Sequence, residues 1–463
     1  MNTLRISWIK NSLGRLSYNK YVDKKLLEFI MVTLVFITAF TVYELKQFST
    51  PLLYGIDGPY YYIQVSSIIN NGHLKYPDPP LAFYILTGFS VLLNDIFVGI
   101  KVGSIIVTLL ALYAIYYLVK KITNPIGGLT ACLIYAFSPA LIRLSLDLMK
   151  NAMGLTFLSF TLLFSYLALK KQNLRFSILS SVFAILTGLI HILDFTVIYA
   201  ILLLLTIMNI RNKHALKYVI LPTVFGSILL ALGFIFYDIM GGDPYRIIFF
   251  IYDLLGDRQL LMFNMYVLPN VILPLSIGIV GLLLCTRLRN YVDKTLLFIL
   301  SLTIIALNLP FYPSQHLWRF NLMIAILAPL ILGVAVGYVK GTISRLVFTL
   351  VLLGFLIPQF TAQIYLIRPS ISLGEYQEIK QLISIVPNNT IFVVPNTKLR
   401  YWVETLTSNV VKSPREAPAY SYIVIVQEKV PFKFKKPVPL MAKPFYNGVY
   451  IEAYILPPKR LKP

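Results

Sequence analysis

The chain has 463 residues, of which 57% are hydrophobic, 14% aromatic and only 13% charged. Soluble domains carry about 25% charged residues. With a mean hydropathy of +0.75, this composition excludes a soluble multidomain enzyme, and its apolar content excludes disorder. The net charge of +22 would suggest an anionic partner in a soluble protein; in a membrane protein the charges first report orientation.

In chain order, residues 1–25 carry Arg5, Lys10, Arg15, Lys20, Lys24 and Lys25 against Asp23. By the positive-inside rule this end is expected in the cytoplasm. No small-residue cleavage site precedes a short apolar core, so the first span is expected to be a retained anchor. A crossing helix needs about 20 apolar residues. The predicted spans are 26–46, 98–119, 126–142, 152–169, 175–190, 195–210, 217–237, 263–286, 295–311, 318–339 and 345–367. Residues 81–93 are apolar but short, and fit an interfacial half-helix. If the eleven spans alternate, the cytoplasmic turns hold Lys120, Lys121, Lys170, Lys171, Arg175, Arg211, Lys213, Lys217, Arg287, Arg289, Lys294, Lys340 and Arg345 against Asp293, a net +12. The external loops are close to neutral. Counting 81–93 as a full span would put the Lys170–Lys171 turn outside, against the rule.

The expected architecture is therefore a polytopic all-α membrane protein of about 11 helices with a small C-terminal α/β domain outside. Its parts are a basic N-terminus (1–25), a membrane domain (26–368) with external loop 47–80 and half-helix 81–93, and the external domain (369–463). Within that domain a helical period around 372–386 is followed by a β-branched strand at IFVV, a helix at RYWVETL and a strand at SYIVIVQEK. Asn388-Asn389-Thr390 is a glycosylation sequon. The domain ends in a basic tail. Cys132 and Cys285 lie in apolar runs and read as small core residues. No CxxC, HExxH, GxGxxG or Walker-type loop occurs, and nucleic acid is not an expected partner.

Chemistry is sought among ionisable groups at the edge of the bilayer. The first external loop is the richest segment. Asp57 follows the first span closely, and an aromatic amphipathic stretch begins with Tyr60 and Tyr61. Pro77-Asp78-Pro79-Pro80 then turns the chain into the apolar 81–93 stretch. Asp57 has two readings. It is a general base for a polar acceptor, or it caps the helix that Pro59 begins. Further on, a Ser-Pro precedes Asp147, with Arg143 and Lys150 beside it; Gly188 to His191 closes a middle span; Trp318-Arg319-Phe320 opens a late one. His191 and Asp194 stand three apart and read as a polar pair lining a cavity or as a pair satisfied within the bundle.

In order and spacing, these features over about residues 20–340 resemble the GT-C class of membrane glycosyltransferases. That class includes the dolichyl-phosphate-mannose protein mannosyltransferases, the aminoarabinose transferases of lipid A and, more distantly, the oligosaccharyltransferase catalytic subunit. The class carries a catalytic aspartate in its first external loop and a D-H-P-P-L-like turn after it. Here the turn is PDPPL at Pro77 to Leu81, with Pro in place of His. The resemblance implies sugar transfer from a polyprenyl- or dolichyl-phosphate donor to a glycan, lipid or protein acceptor on the extracytoplasmic face of the cell membrane. It implies Asp57 and Asp147 as catalytic residues. Cations that neutralise a leaving phosphate are expected among Arg319, Lys75, Arg246 and Lys150. Asp78, Tyr60, Tyr61, His191, Asp194 and His316 are expected to line the substrate cavity. The oligosaccharyltransferase-like relatives hold a divalent ion with Asp-x-Asp or Asp-x-Glu pairs. Asp147 is followed by Leu-Met-Lys and Asp57 by Gly-Pro, which points to the metal-independent branch; no cofactor is firmly implied. Two other classes remain as alternatives, a transporter or flippase of lipid-linked glycans and a non-catalytic assembly subunit. The absence of self-similar halves argues against the transporter.

Overall fold

A computed structural model describes residues 2–235, 268–413, 416, 422–429 and 441–456. The chain starts with one long helix, α1 (Asn2–Gln47), whose apolar part Lys24–Gln47 is long enough to cross a bilayer. Then follow α2 (Gly58–Asn71), α3 (Leu81–Leu92), α4 (Ile96–Leu109), α5 (Ala111–Ile122), α6 (Pro125–Ala136), α7 (Pro139–Asp147), α8 (Met149–Lys171), α9 (Leu174–Ile190), α10 (Ile192–Met208) and α11 (Lys213–Ile235). Beyond residue 267 come α12 (Leu268–Cys285), α13 (Tyr291–Leu307), α14 (Ser314–Leu322), α15 (Ile324–Tyr338) and α16 (Thr342–Leu366).

Among the described residues six helices are long and apolar enough to span, or eight if each bent pair is one span. Three more predicted spans fall on α9, α10 and α13, each of 17 residues. At about 1.5 Å per residue these reach about 26 Å, a little under the ~30 Å hydrocarbon layer. Helix α3, with 12 residues, reaches only about 18 Å, in keeping with a half-helix. The stretch 238–262 lies outside the described residues, and with it the ends of two predicted spans. Cys132 and Cys285 are buried and free.

Local chemistry places the breaks. Asn124 caps α6 by accepting from the amides of Ile126 and Gly127, with Pro125 at its first turn. At Ser138-Pro139 the helix breaks: proline lacks an N–H and disfavours helical backbone in the residue before it. Ser138 is extended (φ −70°, ψ 128°), and its side chain caps α7 by accepting from Leu141 N. The two helices are bent by 48°. This bend carries Asp147, the last residue of α7, out of line with the preceding span and toward the first loop.

The C-terminal domain contains α17 (Leu373–Ile385), α18 (Thr397–Glu404) and the strands β1 (Ile391–Val393), β2 (Val410–Val411), β3 (Ile423–Glu428), β4 (Lys443–Asn447) and β5 (Ile451–Leu456). The sheet order is β2-β1-β3-β5-β4, parallel from β2 to β3 and antiparallel beyond. The predicted helices and the strands at IFVV and YIVIVQE are present. One hydrophobic cluster fills the helical bundle. A second runs without a break from Leu53, Tyr61 and Phe83 to Ile379, Trp402 and Val424. The first loop is thus packed into both the bundle and the C-terminal domain, and two backbone contacts add to this seam. Gly55 N donates to Arg368 O at 3.3 Å, and Gly55 bridges to Pro369.

Candidate functional site

Asp57 occupies the N-cap position of α2, but its side chain makes no capping hydrogen bond; proline in the first turn starts the helix. Its carboxylate is therefore not consumed by the helix. Asp57 is half-buried. Burial raises its pKa above the usual carboxylate range, and the neighbouring charge of Asp147 raises it further. The positive charges of Lys150 and Arg319 act in the opposite direction.

Asp147 reaches the same place from α7. Its Oδ1 accepts a hydrogen bond from Ile56 N at 3.1 Å. It packs on Gly55, whose φ of +70° suits glycine. A Cβ at Gly55 would run into this carboxylate. So the loop backbone, from the residue before Asp57, holds the second aspartate. Arg143, four residues before Asp147 on the same face of α7, lies with its guanidinium 5.5 Å from the centre of the Trp318 ring. Arg319 approaches the same ring at 5.3 Å. Two guanidiniums on one indole thus stand beside two carboxylates, brought together by the first loop, α7 and α14. Among the described residues neither arginine forms an ion pair with a carboxylate.

The other predicted cations are placed differently. Lys150 forms an ion pair with Asp78, and Tyr60 OH donates to the same carboxylate at 2.8 Å. Gln64 Nε2 donates to Tyr60 OH at 2.9 Å, so Asp78, Tyr60 and Lys150 form one network beside Asp57. Lys75 lies 2.7 Å from Glu404 of α18, a buried carboxylate. It is thus drawn to the C-terminal domain, together with Tyr76, whose OH donates to Glu404 at 2.6 Å. Tyr61 is buried in the core, and its OH accepts from Lys150 N at 3.0 Å, which pins α8 to α2. Arg246 lies outside the described residues.

His191 Nδ1 is 3.0 Å from Asp194 Oδ2. Asp194 is fully buried against Gly154 of α8. The pair thus sits at the start of α10, packed on α8. His316 is on α14, one turn before Arg319, with its N–H donated to Pro313 O at 3.0 Å. Among the described residues no group of three or more metal-ligating acids, histidines or cysteines comes together.

Sequence reasoning names Arg143 but favours other cations, and it gives no role to Trp318 or Gly55. The usable signals were the Arg143/Asp147 spacing of four and the adjacent Trp318-Arg319.

Comparisons with known proteins bear on the fold. Residues 77–237 match the dolichyl-phosphate-mannose-protein mannosyltransferase family model. No curated protein matches the chain in sequence. Among solved structures, the apo oligosaccharyltransferase of Archaeoglobus fulgidus is similar with a TM-score of 0.66 and 12% identity, over 87% of this chain and 69% of that one. ArnT from Cupriavidus metallidurans bound to undecaprenyl phosphate has a TM-score of 0.58 and 11% identity, over 94% of this chain and 99% of that one. The mycobacterial arabinofuranosyltransferase AftD has a TM-score of 0.53 and 12% identity, over 91% of this chain but only 40% of its own length. The chain thus has a fold similar to that of these membrane glycosyltransferases, and its residues 77–237 match the mannosyltransferase family model.

Proposed function

We propose that this chain transfers a sugar from a polyprenyl- or dolichyl-phosphate donor to a hydroxyl or amide acceptor at the extracytoplasmic face of the membrane. The N-terminus is then cytoplasmic, the C-terminal domain (369–463) is external, and eleven segments cross. The observation that carries this reading is the meeting of an uncommitted Asp57 with Asp147, Arg143, Arg319 and Trp318. Structural likeness adds to it. ArnT of the similar fold was solved with undecaprenyl phosphate, and an archaeal oligosaccharyltransferase, AglB, with dolichol-phosphate.

In the proposed step the acceptor oxygen or nitrogen attacks the anomeric carbon. Its proton passes to the Asp57 carboxylate. The bond from the anomeric carbon to the phosphate oxygen breaks, and the electron pair leaves with the lipid phosphate, which gains a negative charge. Arg143 and Arg319 answer that charge with planar guanidiniums suited to bidentate phosphate contacts. Burial suits the base, since a carboxylate with a raised pKa accepts a proton more readily near neutral pH. Asp147 holds the loop through Ile56 N. The Asp78–Lys150–Tyr60 network fixes the start of α8 against α2. An ordered loop with paired counter-charges is what an enzyme requires and an assembly subunit does not.

The test is Asp57→Asn in proteoliposomes supplied with polyprenyl-phosphate sugars and membrane extract as acceptor. Transfer is expected to fall by at least about 10²-fold, the scale for loss of a general base. Full activity in that variant would remove the assigned role.

A further inference from the structure

A cavity of about 410 Å³ opens where the second half of α2 meets the end of α18. Small-molecule sites occupy about 300–1,000 Å³. Its walls include Tyr62, Ser66 and Asn70 of α2, His73 and Lys75 of the following turn, and Glu404 with the residues after it. The Lys75–Glu404 pair cancels its own charge, so the walls offer hydroxyls and amides in a neutral setting. The His73 ring donates Nδ1–H to Asn71 O at 2.9 Å, which holds the ring at the cavity wall. Asn70 donates Nδ2–H to Ser66 Oγ at 3.2 Å and keeps its carbonyl oxygen as an acceptor. Tyr62 adds an aromatic wall, its ring 4.7 Å from that of Phe97.

Neutral donors and acceptors beside one aromatic face suit a sugar ring, whose hydroxyls need both kinds of partner and whose C–H face is apolar. A phosphate or carboxylate would find the lysine already neutralised. Ser66 stands nine residues after Asp57, about 14 Å along the helix, so a ligand in the cavity cannot place its reacting atom at the carboxylate.

We propose that this cavity binds the non-reacting end of a neutral glycan acceptor. Contacts remote from the chemistry orient the reacting end and raise the rate. That the glycan is an acceptor rests on the glycosyl-transfer reading; that the cavity binds saccharide does not.

The experiment uses the full chain in nanodiscs, with α-mannotriose, chitotriose and maltotriose as neutral probes and mannose 6-phosphate as the charged one. Binding is followed by saturation-transfer NMR titration. At least one neutral trisaccharide is expected to bind saturably. Asn70→Ala, which removes one amide at an exposed position, and Ser66→Trp, which fills the space, are each expected to weaken it at least tenfold with an unchanged melting temperature. Asp57→Asn is expected to bind as the wild type does. No bound trisaccharide, full binding in Asn70→Ala, or tighter binding of mannose 6-phosphate would overturn the proposal. Trisaccharide binding without any transfer from a lipid-phosphate donor would instead sink the transfer reading and leave the cavity assignment standing.

Discussion

Gly55 offers the sharpest test of how the two aspartates are held. Its φ is +70°, and a Cβ there would collide with the Asp147 carboxylate that accepts from Ile56 N at 3.1 Å. Gly55→Ala therefore carries two costs. The left-handed backbone costs an L-residue about 1–2 kcal/mol. Pushing the carboxylate off its backbone donor forfeits a charged hydrogen bond worth about 1.5–3 kcal/mol. The total, about 2.5–5 kcal/mol, falls on the local arrangement of the loop. A displacement of about 1 Å in a reacting group lowers rates by about 10²-fold. Gly72 supplies the control. It has a similar φ of +78° but open space where its Cβ would go, so Gly72→Ala carries only the first cost. In proteoliposomes, Gly55→Ala is expected to lose about 10²-fold in transfer while Gly72→Ala stays near wild type, with both melting somewhat earlier. Equal losses in the two variants, or wild-type transfer by Gly55→Ala, would refute the idea that the loop backbone positions Asp147.

The pH profile follows from the raised pKa of Asp57, caused first by burial and then by Asp147. The base works deprotonated, so transfer falls as pH drops through that raised pKa. The acid limb is expected above the ordinary aspartate value of about 3.9. Asp147→Asn keeps an oxygen for Ile56 N but removes one raising charge, so the limb should move to lower pH; a limb that stays put contradicts the coupling. Arg143→Ala and Arg319→Ala are each expected to lower transfer by about 10²-fold, the scale for losing one stabilising donor. The double variant should lose less than the product, because both rest on Trp318; normal turnover by Arg143→Ala excludes it from the phosphate site. Trp402 is fully buried and its Nε1 donates to Ser370 Oγ at 2.9 Å. Trp402→Ala should cost about 3–5 kcal/mol and open the C-terminal domain to limited proteolysis; an unchanged cleavage pattern shows the domain does not depend on that core.

Local chemistry was partly legible in the sequence, and choice of partner was not. The predicted span 126–142 runs through Ser138-Pro139, where the structure instead bends by 48° and so presents Asp147. Pro59 starts α2 unaided, which is why Asp57 is left over. The cations illustrate the opposite case. Lys75, Lys150 and Arg319 are equally plausible phosphate ligands by position, since sequence neighbours report depth in the membrane. Which cation remains uncommitted depends on where the carboxylates fall in space. Glu404 meets the Lys75–Tyr76 turn from 328 residues beyond Tyr76, and Asp78 takes Lys150 from 72 residues before it. A lysine ammonium is a compact charge on a flexible stem, readily captured by a buried carboxylate. A guanidinium spread over an indole face retains outward donors, and Arg143 and Arg319 share that indole. Among the described residues the tertiary fold thus pairs the two lysines with carboxylates and leaves the two arginines without one, a division that residues distant in sequence bring about.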